Sequence, residues 1–214
     1  MVSRKEVFIK TIELVKNWPS ALAAYPVSIV LRKNFLTLYE LNDGTKYYLN
    51  VRGPDRALLI QIWKYRVYTR LFDVQKDDII VDLGAHIGIF TIYAAMKCKR
   101  VVAVEPTSTN FEILEKNISV NKLTNVKALK LAIWDSRKDG DIYISESTSA
   151  GNSAFLKSDR KEKVKFVTIK DILDMERLRT VDFMKIDIEG CESDAILATP
   201  KETLLRVKKF AIEC

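Results

Sequence analysis

Three short segments of this 214-residue chain carry residues able to hold or move charge, and all three follow runs of apolar, β-branched residues. In the first, Val81-Asp82-Leu83-Gly84-Ala85-His86-Ile87-Gly88, an apolar strand runs into a loop with glycines at its first and fifth positions. Gly84 lets the backbone turn sharply, and Gly88 lets a following helix start close to the sheet. A dinucleotide loop, G-x-G-x-x-G, has a middle glycine where the pyrophosphate approaches the helix start. Here His86 holds that place and Asp82 adds a carboxylate. A carboxylate repels a pyrophosphate and attracts the ammonium and sulfonium of S-adenosylmethionine, so the expected ligand is that methyl donor.

The second segment, Val101-Val102-Ala103-Val104-Glu105-Pro106, ends an apolar strand on an acid, about 20 residues beyond the glycine loop as nucleoside sites require. Glu105 is therefore expected to accept the hydroxyls of a ribose. The third segment, Val181 to Glu192, delivers Asp187, Glu189 and Glu192 close together. Crowded carboxylates repel unless a cation, a donor or a raised pKa relieves them, and that marks a candidate catalytic rim. Asp187 and Glu189 are the expected proton acceptors, with Glu213 as a third candidate, while Lys185 is a candidate partner for them. His86, the only histidine, reads as a structural hydrogen bond or a contact to the methionine part of the donor rather than as a base. No metal site is predicted.

Taken together and in this order, the segments resemble the FkbM-type family of S-adenosylmethionine-dependent methyltransferases over roughly residues 55 to 214. The family's Asp-x-Gly-Ala-Asn-x-Gly is similar to Asp82 through Gly88, its Glu-Pro to Glu105-Pro106, and its Lys-Ile-Asp-x-Glu-Gly-x-Glu to Lys185 through Glu192. Its Leu-x-x-Asn-x-x-x-Asn stretch resembles the segment from Phe111 to Asn121. His86 stands where the family has Asn, and Cys191 where it commonly has Ala. The resemblance implies a Rossmann-like class I methyltransferase fold, with donor contacts from Asp82, Gly84, Ala85, His86, Gly88, Glu105 and Pro106, and with Ala132 beside the adenine. It also implies O-methylation of a hydroxyl on a sugar, glycan or other small metabolite. A nicotinamide oxidoreductase and a catalytically silent protein of the same fold are the competing readings.

The elements that must position these residues follow from periodicity. Apolar spacing predicts a helix over residues 5–17, ended by Trp18-Pro19. β-Branched and aromatic residues from Val27 to Val51, interrupted by Asn42-Asp43-Gly44, predict a β-hairpin. Gly53-Pro54-Asp55 then opens a helix running to about Phe72. Beyond Asp77, apolar strands at Ile79–Leu83, Val101–Glu105, Val126–Ile133, Val181–Ile188 and Lys208–Glu213 alternate with helices, which predicts a mostly parallel α/β sheet. Residues 134 to 180 are expected to insert further strands, with residues 145–153 as a loop over the acceptor. The division expected is an N-terminal helix and hairpin at 1–54 and a donor-binding domain at 55–214. The sequence ends at the fifth strand without the usual C-terminal strands. That edge is expected to be covered by the N-terminal hairpin or by a second subunit in a homodimer.

Composition excludes other classes. The 35 basic and 28 acidic residues give +7, but they are scattered, which describes a solvated surface and no specific nucleic-acid groove. No uninterrupted apolar run is long enough to span a membrane. Three cysteines without C-x-x-C spacing fit neither a disulfide framework nor a zinc site, and indicate a reducing, cytoplasmic setting.

Overall fold

The computed structural model describes residues 3–143 and 161–213. The expected loop at 145–153 lies outside the described residues. The chain runs through α1 (Arg4–Leu14), α2 (Trp18–Val30), β1 (Leu36–Glu40), β2 (Lys46–Asn50) and α3 (Asp55–Trp63). It continues through β3 (Ile79–Leu83), α4 (Ile89–Ala95), β4 (Arg100–Val104), α5 (Ser108–Val120), β5 (Val126–Leu129), β6 (Ala132–Ile133) and β7 (Lys138–Tyr143). The last elements are β8 (Lys161–Val167), α6 (Ile169–Met175), β9 (Phe183–Ile186), α7 (Glu192–Leu197), α8 (Lys201–Leu204) and β10 (Phe210–Ile212).

Five strands form a parallel sheet in the order β10-β9-β3-β4-β5, so the chain starts in the middle and winds outward in both directions. Alternation along the strands splits their side chains between two layers. Val81, Leu83, Val102 and Val104 face Ile172 and Leu173 of α6 and Ala195 of α7. Ile80, Val101 and Phe183 face Ile89, Ile92 and Tyr93 of α4. This is the expected doubly wound arrangement, and it brings the carboxyl ends of β3, β4 and β9 to one rim.

The hairpin forms as its turn chemistry predicts, Leu36 pairing with Asn50 and Glu40 with Lys46. Gly44 takes φ +88, and the Asp43 carboxylate accepts from Thr45 N at 3.0 Å. Tyr39, Leu41, Tyr47 and Leu49 are buried in the same cluster as α4 and Phe183. Asn117 and Asn121 of α5 dock β2: their side-chain oxygens accept from the N–H groups of Tyr48 (2.6 Å) and Lys46 (2.8 Å), and their amides donate back to the carbonyls of the same residues. The hairpin therefore lies against α5, not beside β10, which corrects the expectation that it covers that strand. Among the described residues β10 pairs with β9 on one side and with no strand on the other.

Three further boundaries differ from expectation. Trp18-Pro19 does not end helical structure but opens α2, because proline at a helix start lacks only an N–H that would have no intrahelical partner. The texture that suggested extended chain from Val27 thus belongs to a helix up to Val30. Helix α3 stops at Trp63, well short of Phe72. Arg66 takes φ +53, and its guanidinium donates to the carbonyls of Thr69 (3.0 Å) and Phe72 (3.1 Å), curling the chain into a turn. Finally, the segment Val126–Ile133 divides: β5 ends at Leu129, while Ala132 and Ile133 join β8 and β7 in a separate three-stranded sheet made by the inserted segment. No helix among the described residues is long and apolar enough to cross a membrane.

Candidate functional site

A cavity of about 440 Å³ opens at the carboxyl ends of β3, β4 and β9. Its walls bring together Gly84, His86, Glu105, Pro106, Ala132, Asp187, Glu189 and Glu213, all singled out from the sequence. Asp82, Ala85 and Gly88 lie outside the lining and act on its shape.

Asp82 is fully buried beneath the loop. Parallel pairing sets it beside Lys185 on the next strand. The Lys185 ammonium donates to Asp82 Oδ1 at 3.0 Å and to the Gly84 carbonyl at 2.8 Å, and Thr91 of α4 donates to Asp82 Oδ2 at 2.6 Å. The carboxylate thus anchors the loop from below, and its charge is already answered by Lys185. Burial alone would lower the Lys185 pKa, but the neighbouring Asp82 and Asp187 hold it above the ordinary lysine value.

The loop has left-handed backbone at Gly84 (φ +79), His86 (φ +52) and Gly88 (φ +87). A Cβ on Gly84 would lie 1.7 Å from the Asp187 carbonyl oxygen, so only glycine allows β3 and β9 to approach this closely at the rim. At Gly88 a Cβ would meet Leu114 Cδ1 of α5 at 2.5 Å. The Asn117 amide donates to the Ile87 carbonyl at 2.8 Å, tying α5 to this loop as well as to the hairpin.

Glu105 is almost entirely buried yet forms part of the cavity wall. Its Oε1 accepts from Thr107 N (3.0 Å), Thr107 Oγ1 (2.6 Å) and Asn110 Nδ2 (3.3 Å). Its Oε2 accepts from His86 N at 2.9 Å. A carboxylate has roughly four acceptor sites, so Oε2 keeps capacity for a ligand hydroxyl. The carboxylate also explains why His86 tolerates its strained backbone, since the Glu105 bond holds that residue's N–H in place. Both imidazole nitrogens of His86 are buried without a hydrogen-bond partner among the described residues. An unpaired buried polar group costs about 1–3 kcal/mol, and here the two nitrogens belong to a side chain on the cavity wall. Leu131, Ala132, Ile133, Ile142 and Phe166 give the cavity an apolar side.

The same cavity holds a cluster that sequence reasoning recovered only in part. Asp187 Oδ2 accepts from the Tyr68 hydroxyl at 2.6 Å and lies 3.5 Å from Lys185 Nζ. Burial alone would raise the Asp187 pKa, but Lys185, a hydrogen bond with Glu213 and the Tyr68 hydroxyl hold it below the usual value. Glu213, just past β10, is raised by that hydrogen bond to Asp187 first and by burial second. Partial burial at the rim, then the charges of Asp187, Glu192 and Glu105, push Glu189 up to about 7. Glu192 itself turns away from the reacting space: it accepts from Ile188 N (2.7 Å) and Gly190 N (2.9 Å), closing the turn in which Glu189 has φ +58.

Tyr68, Thr107 and Asn110 were missed because no motif marks them. Tyr68 reaches Asp187 only through the unforeseen turn after α3. Thr107 and Asn110 could have been suspected from their closeness to Glu105-Pro106 at the start of α5.

Known proteins are similar to this chain. Methyltransferase 1 of Beauveria bassiana (strain ARSEF 2860) is 25% identical over 186 residues, 73% of this chain and 73% of that protein. Methyltransferase sdnD of Sordaria araneosa is 23% identical over 207 residues, 80% of this chain and 79% of its own length. The crystal structure of methyltransferase FkbM from Methylobacillus flagellatus KT superposes with a TM-score of 0.48 at 19% identity, over 72% of this chain and 36% of that one. The present chain thus spans little more than a third of that protein's length. The methyltransferase FkbM domain model matches residues 82–213, more than half of the sequence and all three chemical segments, and the chain belongs to the FkbM methyltransferase family.

Proposed function

We propose that this protein transfers a methyl group from S-adenosylmethionine to a hydroxyl of a small metabolite, sugar or glycan. The observation that carries the reading is one cavity whose lining brings Glu105 and the unpaired imidazole of His86 together with Asp187, Glu189 and Glu213. Glu105, His86 and Ala132 fit the donor: Glu105 Oε2 would accept a ribose hydroxyl, His86 would offer a donor and an acceptor to polar groups, and Ala132 with its apolar neighbours would accommodate the adenine. When bound, S-adenosylmethionine would supply an electrophilic methyl on its sulfonium, to be passed to the acceptor oxygen with S-adenosylhomocysteine as the leaving group.

The protein's own work is then to align and to take a proton. A half-enclosed cavity holds the acceptor oxygen near its target and excludes water, which is where most of the acceleration of such a transfer arises. Glu189 is suited to take the hydroxyl proton, since a carboxylate whose pKa lies near the working pH is a far better acceptor than an ordinary one. Asp187 is the second candidate, with Tyr68 and Lys185 fixing its orientation.

Equilibrium titration with S-adenosylmethionine and with NADH tests the donor assignment, repeated on Glu105→Gln. The expected result is binding of S-adenosylmethionine alone, weakened at least about tenfold in the variant, because a hydrogen bond to a charged group contributes roughly 1.5–3 kcal/mol. Binding of NADH in its place would overturn the reading. Incubation of a metabolite or glycan extract with labelled donor then identifies the acceptor by mass spectrometry. Undiminished single-turnover methylation in both Asp187→Asn and Glu189→Gln would remove both from the reaction.

A further inference from the structure

A surface unrelated to the cavity remains unexplained. Helix α2 contains no charged residue, and only Ala21 and Ser28 within it are buried. Ala21 joins the main apolar core, and the rest of the fastening is polar. Before its first turn, Asn17 donates to the Leu38 carbonyl and accepts from Glu40 N, both at 2.9 Å, and near its end Ser28 Oγ accepts from Arg52 Nε at 3.2 Å. Beyond these anchors Tyr25, Val27, Ile29, Val30 and Leu31 face outward, Val30 being 80% exposed. A helix at a water interface normally turns charged residues outward. Contiguous exposed apolar side chains on a firmly held helix mark a contact with something apolar.

The surrounding charge selects the partner. From residue 14 to residue 39 there is no Asp or Glu, and Arg32 and Lys33, both exposed, follow the helix, while Lys16 before it is paired with Glu40 at 3.1 Å. A two-fold contact between copies through this patch would set Arg32 and Lys33 against their own counterparts with no acid in the segment to pair them. An anionic bilayer surface answers both features at once. Phosphate headgroups meet the basic residues, the acyl boundary receives the aliphatic side chains, and Trp18 and Tyr25 suit the interface between. We propose that α2 docks the protein on anionic lipid surfaces, with Val30 and Leu31 entering the acyl boundary and Arg32 and Lys33 at the headgroups.

Vesicle co-sedimentation of the full chain tests this. The probes are vesicles of equal parts phosphatidylcholine and phosphatidylglycerol, and vesicles of phosphatidylcholine alone. The expected result is partition to the anionic vesicles, reduced by added salt. The double variants Val30→Asp/Leu31→Asp and Arg32→Glu/Lys33→Glu should each weaken it at least about tenfold. Circular dichroism of each variant confirms that it is folded. Absence of partition at low salt, equal partition to both vesicle types, or undiminished partition of the folded variants would each overturn the proposal. So would a stable dimer that Val30→Asp/Leu31→Asp dissociates, which would assign the patch to a second copy.

Discussion

At the scale of single residues, the site separates groups that bear charge for structure from groups that bear it for chemistry. Asp82 and Lys185 belong to the first kind. Both are buried and each satisfies the other, so removing one leaves a charge without its counterpart. Lys185→Met should therefore destabilise the protein by about 3–5 kcal/mol, read as a lower midpoint in urea unfolding. Glu189 is the group we propose for the second kind. With its pKa at about 7, it is largely protonated at pH 6 and ionised at pH 8. A base must be ionised, so the single-turnover rate should rise through about pH 7 and level off above it, and Glu189→Gln should remove that rise. Stability moves the other way. The folded chain holds this proton above the pH at which the unfolded chain releases it, so Glu189 contributes a loss of stability as pH rises from the ordinary glutamate range to about 7. Urea midpoints measured across that range in the parent and in Glu189→Gln separate this contribution from those of other groups.

At the scale of elements, the glycine loop works because three parts of the fold press on it: β9 through Asp187, β4 through Glu105 and α5 through Leu114 and Asn117. The two loop glycines should therefore tolerate substitution unequally. Gly84→Ala directs a methyl into the Asp187 backbone just past β9 and should abolish donor binding or folding. Gly88→Ala meets only the end of a leucine side chain, and its main cost is left-handed backbone, about 1–3 kcal/mol. Thermal melts of both variants, with donor titrations where they fold, decide the order. The loop and strand β3 were legible in the sequence because an apolar run ending at a glycine turn has few other readings. The three-stranded sheet was foreseen only as inserted strands, since β6 is two residues long and pairs with a strand far along the chain. The turn after α3 left no mark: Leu58, Leu59, Ile62, Trp63 and Val67 keep helical spacing past the point where Arg66 breaks the helix. Tyr68, and with it the full surroundings of Asp187, was lost to the same cause. Asp82 stood in the right loop, but only the pairing register with Lys185 assigns it to the interior rather than to the cavity.

At the scale of the whole molecule, residues 3–54 are woven into the core that supports the site, although their hairpin contributes no strand to the parallel sheet. Tyr47 is fully buried, donates to the Ile89 carbonyl at 3.2 Å and accepts from Trp63 Nε1 at 3.0 Å. Ile89 begins the helix that follows the glycine loop. Asn117 joins β2 to the loop from the other side, through Tyr48 and Ile87. Truncating Tyr47 to alanine should cost about 3–5 kcal/mol, as for other large buried aromatics. Deleting the whole segment exposes the Ile89, Phe90 and Tyr93 side of the core and leaves Asn117 and Asn121 without their backbone partners. Residues 55–214 alone should then show no cooperative unfolding transition by circular dichroism and no donor binding. A sharp transition with donor affinity unchanged would instead show that the domain at 55–214 is self-sufficient and that the hairpin merely rests on it. The first outcome follows from the packing, because the helix that starts at the donor loop is held between that hairpin and the sheet.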